Sequence, residues 1–184
     1  MMKKIIFFAV AVSGVIEAHA AGHLPPNYVV STSLPGFAAA IQTAATGSAG
    51  SVLFPSAILK KSNIYMSAES TAHGTYTLYL NYTANCGVAA YCNLGHFDVK
   101  PSSGPLTIYR NSTGRVMTHA VTLANGQKAA YTEGYAMADY WPPHLDWIAQ
   151  GKLYSLTYSN AKKQDLLWMA NHLTVFSSSS GGNS

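Results

Sequence analysis

Charged residues and cysteines are scarce in this chain. Of its 184 residues only 10% are Asp, Glu, Lys or Arg, and two are cysteines. The formal net charge of +4 is mild, and the lysines and arginines are scattered along the sequence. Nucleic-acid binders usually concentrate their basic residues on one face or one element. We therefore expect no nucleic-acid partner.

Familiar catalytic motifs are also missing from the sequence. It contains no Gly-x-Ser-x-Gly nucleophile elbow, no His-Glu-x-x-His zinc motif and no phosphate-binding loop. Carboxylates are few, and no obvious pair for glycoside hydrolysis emerges. We expect a protein that is not an enzyme, with no catalytic residue, no metal and no cofactor.

The one long apolar run that is present lies at the N-terminus. Lys3 and Lys4 precede the apolar stretch 5–12, and Ala18 and Ala20 form a small-x-small cleavage site. This layout is typical of a secretory signal peptide, and the run is too short for a lasting membrane-spanning helix. We expect residues 1–20 to be removed. The mature chain, with no further transmembrane segment, is then a periplasmic or secreted bacterial protein.

The two cysteines, Cys86 and Cys92, are separated by five residues. In an oxidising compartment such a pair is expected to form a disulfide that staples a turn between two strands. A redox pair would more typically be Cys-x-x-Cys near a helix start. A zinc site would need more ligands than His96, the one histidine nearby in sequence.

We predict one α+β domain over residues 21–174 and a disordered Ser/Gly-rich tail over 175–184. The expected architecture is an antiparallel β-meander sheet with a C-terminal packing helix and a short N-terminal helix. The N-terminal helix is placed at 37–45. The C-terminal helix is placed at 162–173, with Asn160 as its cap.

Alternation of apolar and polar residues predicts the strands. The predicted strands and hairpins are a half-buried strand at 75–82, strands at 95–100 and 106–110, a hairpin of 117–124 with 127–133, and a hairpin of 145–150 with 152–158. The turn Asn125-Gly126 favours a two-residue type I′ hairpin, which would place Val121 opposite Ala130.

Three stretches of the chain resemble a family of uncharacterised exported bacterial proteins, best known from cyanobacteria. They are Tyr76, Leu78 and Leu80 before the cysteine loop; Leu123 to Gly126 before Tyr131 and Thr132; and Pro142, Pro143, Leu145 and Trp147 followed by Gly151, Leu153, Tyr154 and a helix with Leu167, Met169, Ala170 and Asn171. The likeness covers roughly residues 52–173. It implies a domain with a Trp-containing strand, a Gly-x-x-Tyr strand and a C-terminal helix. It supports fold and export, and it carries over no catalytic residue.

The resemblance also implies a difference. The related proteins have a second cysteine pair just before the Pro-Pro, where this chain has Ala136 and Tyr140. Loss of both cysteines together is consistent with loss of one disulfide, which would leave the loop 135–141 freer.

This aromatic loop is the first candidate binding site. It contains Tyr135, Met137, Tyr140 and Trp141, and exposed aromatic residues are favoured in recognition sites. The alternative is that Tyr140 and Trp141 fold back and cover the sheet.

Two histidine–aspartate pairs form the second candidate. His96 with Asp98, and His144 with Asp146, are each two residues apart and therefore point to one face of a strand. Such a pair can supply two residues of a metal site or of an acid–base site. It is equally what a solvated strand face looks like.

Three functions remain open. The leading hypothesis is an exported, non-enzymatic binding or interaction domain of unknown ligand, with a protein partner in the envelope or outside the cell. The first alternative is a periplasmic inhibitor or immunity protein against a cell-wall-directed enzyme. The second is a small exported hydrolase or metal-binding protein that uses one of the two His/Asp pairs.

Overall fold

The computed structural model of the chain describes residues 24–48, 50–71, 74–86, 90–135 and 141–177. The predicted signal peptide and residues 178–184 of the predicted tail lie outside them. The helices are α1 (Phe37–Gly47) and α2 (Lys163–Asn171), and short 3-10 turns lie at Ser31–Ser33 and Ala90–Cys92. The strands are β1 (Tyr28–Val30), β2 (Ser51–Pro55), β3 (Ala57–Leu59), β4 (Tyr65–Thr71), β5 (Thr75–Asn81), β6 (Asn93–Pro101), β7 (Thr118–Thr122), β8 (Lys128–Thr132), β9 (His144–Ala149), β10 (Lys152–Tyr158) and β11 (Leu173–Ser177).

The main sheet has seven strands in the order β4-β5-β6-β10-β9-β8-β7, and all neighbours are antiparallel. It consists of two meanders, β4 to β6 and β7 to β10, joined where β6 pairs with β10. The predicted α+β class, with a short N-terminal helix and a C-terminal helix, is confirmed. The junction of the two meanders sets the position of the candidate site described below.

One face of the main sheet is covered and the other is not. On β5, Tyr76, Leu78 and Leu80 are buried in the core, and Thr77 and Tyr79 alternate with them toward the opposite face. The core face is covered by α1, by α2 and by two small ladders, β1 with β3 and β2 with β11. The opposite face is therefore left for polar side chains, as is common in antiparallel sheets.

The C-terminal helix packs as its pattern predicts, with Leu166, Met169 and Ala170 buried. Its cap differs from the prediction. Asn160 adopts a left-handed conformation (φ 59°), and the first turn is closed instead by Asp165, whose carboxylate accepts from the Lys162 backbone N–H at 2.9 Å.

The chain continues as a strand beyond this helix. β11 begins at Leu173 and pairs with β2 as far as Ser177, so residues 175–177, predicted as the start of the tail, belong to a strand. The ring of Phe176 meets Phe37 of α1 with centroids 5.0 Å apart, which attaches the strand to the core.

The Asn-Gly hairpin is present, but its predicted register is wrong by one residue. Val121 lies opposite Ala129 instead of Ala130. The Gly126 N–H donates to the Leu123 carbonyl at 2.9 Å, and Gly126 alone of the turn has a positive φ (83°). This is a three-residue loop with glycine in the left-handed position, so the two-residue type I′ turn does not form.

The strand predicted at 106–110 is also wrong. Apart from one isolated bridge between Arg110 and Val116, this segment makes no ladder. Pro105 has no N–H to donate to a ladder, and the chain instead crosses the uncovered face of the main sheet. The predicted disulfide is confirmed: Cys86 and Cys92 are bonded, with Cα atoms 5.8 Å apart, in the connection between β5 and β6.

The turn between β9 and β10 gives a first testable prediction. Gln150 and Gly151 both have positive φ (51° and 73°) between paired residues Ala149 and Lys152, which is the type I′ geometry. A left-handed conformation is costly for glutamine and tolerated by asparagine, so we expect Gln150→Asn to raise the unfolding free energy by about 1 kcal/mol. Urea unfolding measures the change. Gln150→Val should act in the opposite direction, because a β-branched residue is disfavoured there, and equal effects of the two substitutions would contradict the assignment.

Candidate functional site

The uncovered face of the main sheet brings the two predicted His/Asp pairs together. β6 contributes His96 and Asp98, and β9 contributes His144 and Asp146, with β10 as the single strand between them. In each pair the histidine Nε2 and an aspartate oxygen lie close, at 3.5 Å in the first and 3.7 Å in the second. Within each pair the two side chains face one side of their strand, as the spacing of two predicts. The register of β6, β10 and β9 then puts both pairs on the same side of the sheet.

The middle strand adds two hydroxyl side chains that the sequence analysis missed. Ser155 lies opposite both aspartates, and Thr157 lies opposite both histidines. Their alternation with the buried Tyr154 and Leu156 is the signal that would have placed them on this face. The result is a three-strand block of histidine, aspartate and hydroxyl side chains.

This block forms the floor of a cleft of about 770 Å³. The segment 102–107, which follows β6, lines the cleft together with three aromatic side chains, Tyr79, Tyr109 and Trp141. A concave site of this size, with aromatic walls and a few convergent polar groups, is typical of small-molecule binding sites.

The two pairs differ in depth. The side chains of His96 and Asp98 are about one-third exposed (33% and 30%), whereas those of His144 and Asp146 are 6% and 9% exposed. The cleft therefore has an open end at β6 and a deep end at β9.

His144 has one ring nitrogen occupied and one without a partner. The indole N–H of Trp141 donates to His144 Nδ1 at 3.2 Å, so the proton of the neutral ring lies on Nε2. That Nε2 is buried and has no hydrogen-bond partner among the described residues. Buried polar groups are nearly always paired, so this unpartnered donor marks a polar site at the deep end that lacks one hydrogen bond. Nε2 itself is almost inaccessible, so a ligand would reach it only if a neighbouring side chain moved aside.

Asp146 is held by its neighbour on β10. The Ser155 hydroxyl donates to one carboxylate oxygen at 2.5 Å. The other oxygen faces His144 Nε2 at 3.7 Å, which is too long for a hydrogen bond. One acceptor of a buried carboxylate therefore remains beside one unpartnered donor.

Burial changes the acid–base behaviour of the cleft. It lowers the pKa of His144, and the attraction of the Asp146 carboxylate acts against this effect. Burial also raises the pKa of Tyr109. Burial, followed by a hydrogen bond to Glu69, raises the pKa of Tyr79 to about 12. At neutral pH the cleft therefore holds a neutral His144 and neutral tyrosines.

The lowered pKa of His144 predicts an acid-sensitive fold. In the unfolded chain this histidine binds a proton near its ordinary pKa of 6.5, and in the folded chain it does so only at lower pH. Below that value the unfolded state binds more protons, so stability is fully present above it and is lost as the pH falls. We expect the unfolding free energy to drop between about pH 7 and pH 5, and the drop to be smaller in His144→Gln. Urea unfolding across this range measures it, and equal slopes in the two proteins would contradict the prediction.

The aromatic loop is only partly described. Tyr135 and Trp141 pair through their backbones, with N–H to carbonyl distances of 2.8 and 2.9 Å. Trp141 is 49% exposed and lines the cleft, while Tyr135 does not. Met137 and Tyr140 lie outside the described residues, so their predicted binding role stays a prediction.

Two further properties concern metals and membranes. In residues 24–177, leaving out the undescribed gaps, no three His, Cys, Asp or Glu side chains come together in a group that could hold a metal ion. Over the same residues, neither helix is long and apolar enough to cross a bilayer.

Comparisons with known protein families, with curated proteins and with solved structures returned no match. The resemblance to exported bacterial proteins therefore stays a prediction, and what the cleft binds is inferred from its geometry.

Proposed function

We propose that this protein is an exported binding domain whose sheet cleft, lined by β6, β10 and β9, takes a small polar ligand. Export is supported by the signal-peptide pattern of residues 1–20. The disulfide between Cys86 and Cys92 is consistent with an oxidising compartment. The cleft, rather than the aromatic loop alone, is the proposed site, and Trp141 belongs to both.

The observation that carries the proposal is the unpartnered Nε2 of His144 at the cleft floor. Leaving a buried donor unpaired costs about 1–3 kcal/mol, and His144 is among the most buried polar residues described here. A perturbed titratable group in a cleft is a recognised mark of a functional site. A ligand that accepts from Nε2 would recover this cost.

A hydrolase is the second candidate, because the two His/Asp pairs converge in one cleft. The contacts do not form a nucleophile–base chain, however. Ser155 donates directly to Asp146 and not to a histidine, and His144 Nδ1 is already occupied by Trp141. A serine nucleophile needs a general base within hydrogen-bond reach that is itself oriented by a third group. The geometry therefore supports binding better than acyl transfer.

The experiment is a titration of the mature protein with three probes of different charge, namely cellobiose, choline and inorganic phosphate. The chain has three tryptophans, so three indole N–H signals can be assigned by single Trp→Phe substitutions. We expect at least one probe to shift the signal of Trp141, which lines the cleft. The signals of Trp147 and Trp168, which do not line it, serve as the internal control.

If none of the three probes moves the Trp141 signal at millimolar concentration, the proposed binding cleft is contradicted. If a bound probe is chemically converted, the protein is a hydrolase, and the proposal of a non-enzymatic binding domain is contradicted. In that case His96→Gln should abolish turnover while the fold, checked by circular dichroism, is retained.

A further inference from the structure

We infer that the ligand of this cleft is a neutral oligosaccharide that spans both His/Asp pairs, with each pair recognising one hydroxyl group. The inference rests on the proposed function, because it names the class of ligand for the same site. Four features support it: the donor–acceptor geometry of the pairs, their separation, their aromatic neighbours and the charge of the cleft.

Each pair offers one donor and one acceptor at a spacing that a hydroxyl group fits. The nitrogen and oxygen lie 3.5 Å apart in the His96–Asp98 pair and 3.7 Å apart in the His144–Asp146 pair. Both distances are too long for a good direct hydrogen bond. A hydroxyl oxygen can accept from the histidine N–H and donate to the carboxylate at once, since it carries one proton and two lone pairs.

The separation of the pairs sets the length of the ligand. β10 lies between β6 and β9, so equivalent positions in the two pairs are two interstrand spacings apart, or about 10 Å. A single pyranose ring is too short to reach hydroxyl-binding groups at both ends. Ser155 and Thr157 line the floor between them and can bond further hydroxyls.

An aromatic ring stands beside each pair. Tyr79 lies 6.5 Å from the His96 ring, and Tyr109 lies 5.1 Å from the His144 ring, measured between centroids. Trp141 stands 5.8 Å from Tyr109. Aromatic faces pack well against the apolar C–H face of a sugar ring, so the open and deep ends form two similar subsites.

The charge of the cleft disfavours the other classes of polar ligand. Among the described lining residues, Asp98, Asp146 and Lys100 carry a formal charge when the histidines are neutral. Two carboxylates repel an anion such as phosphate. A cation is the stronger competitor, but one oxygen of the deep carboxylate is already taken by Ser155, and the cleft also contains a lysine. Hydroxyl groups can pair with both the donors and the acceptors of the cleft, and a neutral ligand brings no charge that the cleft must balance.

The test is isothermal titration of the mature protein with cello-, xylo-, malto- and chito-oligosaccharides of increasing length. We expect at least one series to bind, with the tetrasaccharide at least about tenfold tighter than the monosaccharide because it engages both subsites. Asp98→Ala should weaken tetrasaccharide binding by about tenfold, since it removes a charged acceptor from the open end.

Two matched controls separate the cleft from the rest of the surface. Glu133→Ala removes the carboxylate of a third pair, His119–Glu133, which lies outside the cleft with its atoms 2.9 Å apart. Tyr91→Ala removes an aromatic side chain that is 91% exposed and does not line the cleft. Both variants should bind the tetrasaccharide as the wild type does.

Two results would overturn the inference while leaving the binding cleft in place. One is binding of choline or phosphate with no binding in any of the four oligosaccharide series. The other is equal affinity for monosaccharide and tetrasaccharide. Absence of binding by every probe would instead contradict the proposed function itself. Hydrolysis of a bound oligosaccharide would support the ligand class and overturn the non-enzymatic role.

Discussion

Gly95→Ala is expected to lower the free energy of unfolding by about 3 kcal/mol, at the upper end of the cost of overpacking. Gly95 lies on β6 opposite Leu80 of β5 and Tyr158 of β10. A Cβ atom at this position would lie 2.3 Å from the Thr157 carbonyl oxygen and 3.0 Å from the Tyr158 Cα. Both atoms belong to the backbone, so the clash is relieved only if β6 and β10 move apart.

The same movement should damage the cleft, because β6 and β10 carry its open pair and its hydroxyl side chains. Gly104 offers the matched control, since it lines the cleft, has no atom within 4 Å of where a Cβ would lie, and lacks a positive φ. Gly104→Ala should change stability by less than about 0.5 kcal/mol. Urea unfolding of both variants gives the comparison. Similar midpoints for the two would show that the close approach of β6 and β10 does not require a glycine.

Local pattern was sufficient to predict much of the fold. The alternation around Leu78, the small apolar stretch after Gly36 and the stripe of Leu166 and Met169 predicted a strand and two helices that the structure contains. In each case the residues that repeat at the right period are those that reach the core. Such elements form by burying one face, and the spacing of apolar residues in a single sequence shows which face that is.

The incorrect predictions concern segments whose sequence is compatible with two backbone conformations of similar energy. Asn125-Gly126 is compatible with a type I′ turn or with a three-residue loop, and only the conformation of Asn125 separates the two. The type I′ turn formed instead at Gln150-Gly151, where the sequence favours it less. The segment around Leu106 has an apolar composition like that of a strand, but it lines the wall of the cleft instead of joining a ladder.

The candidate site was predictable only in parts. The spacing of His96 and Asp98 and of His144 and Asp146 gave two same-face pairs. Their convergence depends on the pairing of β6 with β10, which brings together residues more than fifty positions apart in sequence. No local period encodes such a contact. The aromatic loop is one continuous stretch of sequence, so local pattern favours it over a site assembled from distant strands.

The two faces of β6 explain why a polar cleft is tolerated in this small domain. His96 and Asp98 face the cleft, while Phe97 between them is fully buried on the opposite side. Burial of Phe97 on the core face of β6 thereby holds the strand in place, although the polar side chains on its cleft face contribute little stability. A functional site that leaves a donor unpaired needs this support elsewhere in the fold.

Phe97→Ala should show the size of this support, with an expected loss of about 3–5 kcal/mol of unfolding free energy. The Phe97 ring lies close to Phe54 of the covering layer, to Trp147 of β9 and to Tyr154 of β10, with centroids 5.8, 6.0 and 6.3 Å away. Removing the ring leaves a cavity between two layers that the sheet cannot close by itself. Urea unfolding with an unchanged slope measures the loss.

Two further substitutions make this prediction specific. Phe97→Leu keeps most of the apolar volume and should cost clearly less than Phe97→Ala, because the cavity is smaller. Tyr91→Ala removes a ring of similar size from a position that is 91% exposed, and should change stability by less than about 0.5 kcal/mol. If Phe97→Ala and Tyr91→Ala cost the same, the ring of Phe97 does not fix β6 to the core. The open His/Asp pair would then lack the rigid floor that recognition of an oligosaccharide requires.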